Sequence, residues 1–148
     1  MARSVQAIKQ PGDLAVASIH WGGNWGYQVP AEQRALAHAL IDVAGFDVVH
    51  GHSSHHPKPI EIHHGRLILY GCGDFLTDYE GITGNESFRG ELALLYLPRL
   101  AIPDGTLVSL DLVPFQLAAW LAAMLERECS PFGTHVALGS DNRLTVLW

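Results

Sequence analysis

At 148 residues, 48% of them apolar and 16% charged, the chain has the composition of one globular domain with a real core, not of a disordered tail or of two domains. Fifteen acidic against nine basic residues give a net charge of −6, and the two lysines, Lys9 and Lys58, form no basic run, which argues against a nucleic-acid backbone as partner. No apolar run approaches the roughly 20 residues of a membrane span, and the start "MARSVQAIKQPGD" lacks the apolar core of a secretory signal.

In chain order, "LAVASIH", Leu14 to His20, reads as a short buried strand that opens into the glycine-rich "WGGNWG". Pro30 suits the first turn of a helix over "PAEQRALAHALIDVAG", with Leu36, Ala37, Leu40, Ile41 and Ala44 at helical spacing and Gly45 as the stop. "FDVVHG" is a second apolar strand. Strand, helix, strand within about 35 residues is a βαβ unit, so the two strands should be parallel neighbours. A parallel sheet of two strands needs more strands beside it to bury both faces, which points to a missing upstream segment.

"KPIEIHHGRLILYGCGDFL" then reads as two strands around a tight turn at His63–Arg66. Thr77 to Gly90 is polar and reads as a loop. "ELALLYLP" and "GTLVSLDLVPF" form an antiparallel pair joined near "IPDG", "QLAAWLAAMLEREC" is an amphipathic helix, and "THVALGSDNRLTVLW" closes as a hairpin turning at "SDN". The expected class is α/β in the first half and mostly antiparallel β, with one helix, in the second. Cys72 and Cys129 follow no CxxC pattern and read as two buried thiols in preference to a disulfide.

Chemistry in α/β proteins gathers at the C-terminal ends of parallel strands. His20 ends the first strand, and His52 and His55 follow the second within "VVHGHSSHHP", which holds four histidines in ten residues. Neighbouring strands lie about 4.8 Å apart, so loops leaving them can converge on one metal, which imidazole nitrogen binds at about 2.0–2.1 Å. Gly22, among other glycines, lets backbone approach a metal or an anion closely. The expected metal trio is therefore His20, His52 and His55. Asp74 in "YGCGDFL" is either a carboxylate of the metal or substrate site or a turn residue bonding its own backbone. His38 and His135 read as structural, His63 and His64 as exposed turn residues, and His56 as exposed or as a donor beside the site.

The chain carries, in order, His20-Trp21-Gly22 after a strand, Pro30 with Gln33 opening the helix, "LIDVAGFD", Gly51-His52-Ser53-Ser54-His55, "KPIEI" and "YGCGDF". This series resembles the CapA-type proteins associated with bacterial poly-γ-glutamate capsule synthesis, a branch of the calcineurin-like metallophosphoesterases. The resemblance extends through "ECSPFGTHV" to nearly the whole chain. It implies a partial metallophosphoesterase sandwich in which residues 1–148 are the C-terminal portion of one such domain. Two departures stand out: Asp74 replaces the family's Asn, adding negative charge where a phosphate would sit, and Ser53-Ser54 replace a His-Pro pair.

The resemblance further implies a two-metal site with Mn, Fe or Zn, hydrolysing a phosphorylated or capsule-related small substrate. His20 and His52 would share one metal and His55 would serve the other. His52 would also contact substrate or leaving group as the catalytic residue, with Trp21, Gly22 and Asp74 as substrate contacts. The family's N-terminal ligands (an Asp, a bridging Asp of a GD motif and an Asn-His pair) have no counterpart here, because Asp13 lies at the wrong end of the first strand. One metal in place of two is then expected, with the missing ligands carried by a longer reading frame or by an N-terminal partner chain. The alternative is a catalytically inactive metal-binding or oligomerising module, for example a homodimer that covers the exposed sheet edge. Family members commonly work at the bacterial cell envelope.

Overall fold

The computed structural model describes residues 5, 7–75, 84–90, 92–102, 104–115 and 118–148. The first strand, β1 (Val16–His20), leads through the Gly/Trp loop to helix α1 (Ala31–Asp42) and then to β2 (Val48–His52), which lies parallel to β1 with Val16 opposite Val48 and His20 opposite His52. Pro30 sits at the start of α1 with φ −58°, where its missing N–H costs the helix no bond. The helix ends as Gly45 takes φ +79° and Phe46 N–H bonds back to the Leu40 carbonyl. Ala37, Leu40, Ile41 and Ala44 are buried as the spacing requires, but Leu36 is half exposed at the flank of that stripe.

The hairpin β3 (Ile60–His63) and β4 (Arg66–Leu69) turns at His64 and Gly65, as expected. Its role in the sheet was not foreseen. β4 lies parallel to β2, with Val48 opposite Leu67, so the sheet runs β1-β2-β4-β3 and gains its third parallel strand from downstream of β2. This sheet buries both faces because alternate residues point to opposite sides. Val49, Ile68 and Tyr70 join Ala17 and the α1 stripe, whereas Val48, Leu67 and Leu69 face a second core.

That second core is shared with an antiparallel sheet, β5 (Leu94–Leu100), β6 (Leu107–Pro114), β7 (His135–Leu138) and β8 (Leu144–Leu147), ordered β5-β6-β8-β7. Helix α2 (Ala118–Cys129) packs Leu121, Met124 and Leu125 into it. The α/β first half and antiparallel second half thus stand as read. Cys72 and Cys129 are free thiols, both pushed up to about 12 by burial, and Cys129 Sγ accepts the Ile60 N–H at 3.2 Å. Residues 77–83 of the expected Thr77–Gly90 loop lie outside the described residues; Glu86–Phe88 forms a single 3-10 turn. Among the described residues no helix is long and apolar enough to cross a membrane.

Candidate metal centre at the ends of β1 and β2

Side chains two apart on a strand share a face, so Ser18 and His20 of β1 stand beside His50 and His52 of β2. The Ser18 hydroxyl lies 3.2 Å from His50 Nδ1, and the ring centroids of His50 and His52 are 5.8 Å apart. His20 and His52 meet edge to face with centroids 5.3 Å apart. The row Ser18–His50–His52–His20 is therefore a line of polar groups reaching the C-terminal strand ends. His50 was missed in the sequence, although its spacing from His52 was the signal for it. Burial holds its pKa below the ordinary histidine value, and the neighbouring His52 lowers it further.

The loop after β1 is pinned from beneath. Trp21 N–H bonds to the His52 carbonyl, continuing the ladder, and Trp21 Nε1 donates to the Tyr70 carbonyl at 3.0 Å while its ring stacks on Tyr70. Gly51 makes this possible. A Cβ there would collide with Trp21 Nε1 and lie 2.7 Å from the carbonyl oxygens of Leu69 and Tyr70. Trp21, expected as a substrate contact, thus has its one polar atom engaged in holding the loop. Gly22, at φ +74°, accepts a bond from the Ser53 hydroxyl at 3.3 Å and covers Lys58 and Gln33. Lys58 is buried, and desolvation pulls its pKa below the ordinary lysine value. The Gln33 amide atoms are also buried, with no hydrogen-bond partner among the described residues.

Beyond β2 the chain turns sharply. Ser53 adopts φ 127°, a conformation L-residues rarely take, and such strain costs on the order of 1–3 kcal/mol. Ser54, buried, donates to the His56 carbonyl at 2.9 Å. His55 is anchored through its own N–H to the Asn24 carbonyl, and its Nδ1 lies 2.7 Å from Asp74 Oδ2. A carboxylate at Nδ1 makes that nitrogen the donor and leaves the ring's lone pair on Nε2, the arrangement typical of a metal-ligating histidine. The Asp74 side chain bonds to His55.

His56 is fully buried against Trp25, Tyr27 and Phe88, with Nδ1 2.9 Å from the Pro57 carbonyl. The expectation of an exposed residue is corrected here. Phe88, far along the chain, closes the aromatic box. Burial depresses the His56 pKa, assisted by Lys58 and His55 and opposed by the Pro57 bond and Glu128.

His20 and His52 are brought together at one point, and His55 stands on the adjoining loop. Imidazole nitrogen is a ligand that transition dications take, but His20, His52 and His55 do not bring their ligand atoms within 4.8 Å of one another, and the Asp74 carboxylate is held by His55.

Among the described residues, the groups of three ligand atoms lying within 4.8 Å of one another are elsewhere: His38, Glu61 and His63, and Asp42, His63 and His64. Both surround the β3–β4 turn. His63 was expected to be exposed, but its side chain is only 15% exposed because its ring stacks on His38 at 3.8 Å. Glu61, buried, accepts from Arg34 at 2.9 Å, His38 at 3.0 Å and the Tyr70 hydroxyl at 2.6 Å. Burial raises its pKa, and these three donors overcome that to leave it below the ordinary glutamate value.

The bacterial capsule synthesis protein family PGA_cap matches residues 1–79. A probable polyglutamine synthesis accessory protein of Mycobacterium tuberculosis is 49% identical over 159 aligned positions, covering 99% of this chain and 42% of the relative. A PGA biosynthesis protein CapA of Bacillus subtilis is 36% identical over 74 positions, 50% of this chain and 19% of the relative. The capsule biosynthesis protein CapA of Bacillus anthracis is 27% identical over 121, covering 79% and 27%. The chain thus spans less than half the length of these relatives. With its family matched over the β1–α1–β2–hairpin unit that carries the histidine row, the chain belongs to the bacterial capsule synthesis protein PGA_cap family.

Proposed function

We propose that this chain contributes to synthesis of a bacterial capsule or polyglutamate polymer by supplying His20, His52 and His55 to a divalent-metal phosphoesterase site. The observation that carries the reading is the His20–His52 pair at the ends of two parallel strands, with the His55–Asp74 pair on the next loop. A bound Mn, Fe or Zn dication supplies positive charge that polarises a phosphoryl oxygen. The chain's own residues do the positioning. His20 and His52 offer ring nitrogens from adjacent strands, Asp74 orients His55 through Nδ1, and Trp21 and Gly51 hold the intervening loop flat on the sheet. His52, between His20 and His50, would both hold the metal and contact substrate or leaving group. The remaining carboxylates of a two-metal site would come from an N-terminal segment or partner chain, and one metal is the expected complement of this chain alone. The cell envelope is the proposed place of action, by analogy with the family.

The test is metal content after loading with Mn2+ or Zn2+, in a His64→Ala background that removes the Asp42–His63–His64 group. One equivalent is expected, lost in His52→Ala and reduced in His20→Ala. Stoichiometric metal persisting in the His20→Ala, His52→Ala and His55→Ala variants would overturn the assignment.

A second reading, a non-catalytic module that associates through its first sheet, is favoured by one observation. β1 is an edge strand beside an apolar groove of about 460 Å³ lined by Val16, Val48, His50, Phe75 and Leu95. Exposed edges and apolar grooves recruit other chains. Light scattering that finds a concentration-independent monomer excludes the homodimer form of that reading.

A further inference from the structure

We infer that Asp42, His63 and His64 form a second binding site, for a borderline transition dication such as Ni2+, Cu2+ or Zn2+, at the opposite end of the first sheet. It does not rest on the reading of the His20–His52 row.

The donors converge. His63 Nε2 lies 2.9 Å from Asp42 Oδ2, and His64 Nδ1 lies 2.9 Å from Asp42 Oδ1. Two ring nitrogens thus aim at the two oxygens of one carboxylate, and all three ligand atoms fall within 4.8 Å of one another. Ligands at right angles on bonds of about 2.1 Å are about 3 Å apart, so the N···O separations need little change to accept an ion. A nitrogen- and oxygen-donor set with right-angle spacing suits Ni2+ and Cu2+ best and accommodates Zn2+ with added water.

The site is also preorganised. The His63 ring is clamped by the parallel His38 ring, with planes 6° apart, and His38 is held in turn by Glu61. His64 sits at φ +49°, which directs its ring back beside His63 at a centroid distance of 4.0 Å. Asp42 is the last residue of α1, where the helix dipole carries partial negative charge and favours a cation. The His64 side chain, 73% exposed, leaves an open approach and room for solvent ligands.

The overlapping group His38, Glu61 and His63 is excluded. Buried Glu61 is also bonded by Arg34 and Tyr70, which are not ligands and which an ion would have to displace, and two stacked parallel imidazoles direct their in-plane lone pairs side by side and not to one point.

The site is separate from the His20–His52 row. Val48, at the start of β2, is level with Leu67, just after the β3–β4 turn, whereas His52 ends β2. Four residue steps at about 3.3 Å each place the two ends about 13 Å apart along the strands. An ion here ties the C-terminus of α1 to the hairpin turn. Binding requires the lone pairs of His63 Nε2 and His64 Nδ1, so it releases protons and weakens in acid.

The experiment is calorimetric titration of the full chain with Ni2+ alone and with Zn2+ alone at pH 7.5, in a His20→Ala/His52→Ala/His55→Ala background. One equivalent is expected, weakened at least about tenfold by Asp42→Asn and abolished by His63→Ala or His64→Ala. His135→Ala, at another histidine–carboxylate pair, is expected to change nothing. Should the triple variant fail to fold, the single His64→Ala exchange at an exposed side chain is compared with the unmodified chain, and the loss of one equivalent is expected. Nitrogen hyperfine structure from two imidazoles in the Cu2+ EPR spectrum is expected from the unmodified chain and lost in His64→Ala. Metal binding that is absent from the triple variant while it remains folded, or that is unchanged by Asp42→Asn, His63→Ala and His64→Ala, overturns the assignment.

Discussion

The two ends of the first sheet both gather histidines, yet they are built on opposite terms. At the β3–β4 turn the two carboxylates Asp42 and Glu61 are matched. Asp42 serves His63 and His64, and Glu61 serves Arg34, His38 and Tyr70. At the ends of β1 and β2 the chain accepts strain and incomplete pairing: Ser53 at φ 127°, a buried Lys58 whose charge is disfavoured, and Gln33 amide atoms without partners among the described residues. The Glu61 network holds the fold, and unmet polar groups and strained backbone mark the strand ends as a second place where a ligand is expected. The contrast teaches that histidine density alone does not tell the two ends apart: at the β3–β4 turn the groups that hold the fold also gather three ligand atoms, whereas at the strand ends the polar groups are left unmet.

The largest expected effect lies at the satisfied end. Glu61→Ala leaves Arg34, His38 and Tyr70 facing a vacated buried site, and about 3–5 kcal/mol of stability should be lost in urea unfolding. A loss under 1 kcal/mol would break the comparison. Next comes Gly51→Ala, whose methyl meets Trp21 Nε1 and two backbone carbonyls that cannot move independently. Overpacking of this kind costs about 1–3 kcal/mol, and Trp21 fluorescence should shift as its bond to Tyr70 opens. An unchanged spectrum would remove Trp21 and Gly51 from the account of how the loop is held.

The pH dependence should separate the two ends. His56 and His50 have pKa values below the ordinary histidine value because they are buried. Groups depressed in the folded state contribute stability that is complete above their unfolded pKa and lost as pH falls toward the folded one. Stability should thus decline from about pH 6.5 downward through the β1–β2 end, and His56→Phe should flatten that slope. Asp42 is depressed by its bonds to His63 and then His64; its contribution should persist until about pH 4 and fail only below it. Hydrogen exchange at pH 5 that opened the β3–β4 turn before the Ser53 loop would reverse the assignment of the two ends. The smallest effect is Ser53→Gly, which relieves the positive φ and should raise stability by about 1 kcal/mol.

Much of this was legible in the sequence, for local reasons. Pro30 and Gly45 bracket α1, and the turn at His63–Arg66 and the strand-end positions of His20 and His52 follow from patterns a few residues long. What escaped were consequences of pairing between distant segments. The parallel pairing of β4 with β2 depends on how a hairpin is laid against a sheet, and the hairpin's own pattern is the same in either case. His63 reads as exposed until His38, 25 positions earlier on a helix, is stacked on it. His56 reads as exposed until Phe88 closes over it. His50 is the exception: a period of two from His52 was enough to place it on the same face.

The two pairings of β4 also impose an order on folding. The β3–β4 hairpin closes over His64 and Gly65, joining residues already close in sequence, and hairpins form in about 1–10 μs. Joining Val48 to Leu67, or Val16 to Val48, closes much longer stretches of chain at a greater entropic cost. The hairpin is then the template on which β2 docks and β1 follows. Within the first sheet, the strand that carries His20 is then expected to join last.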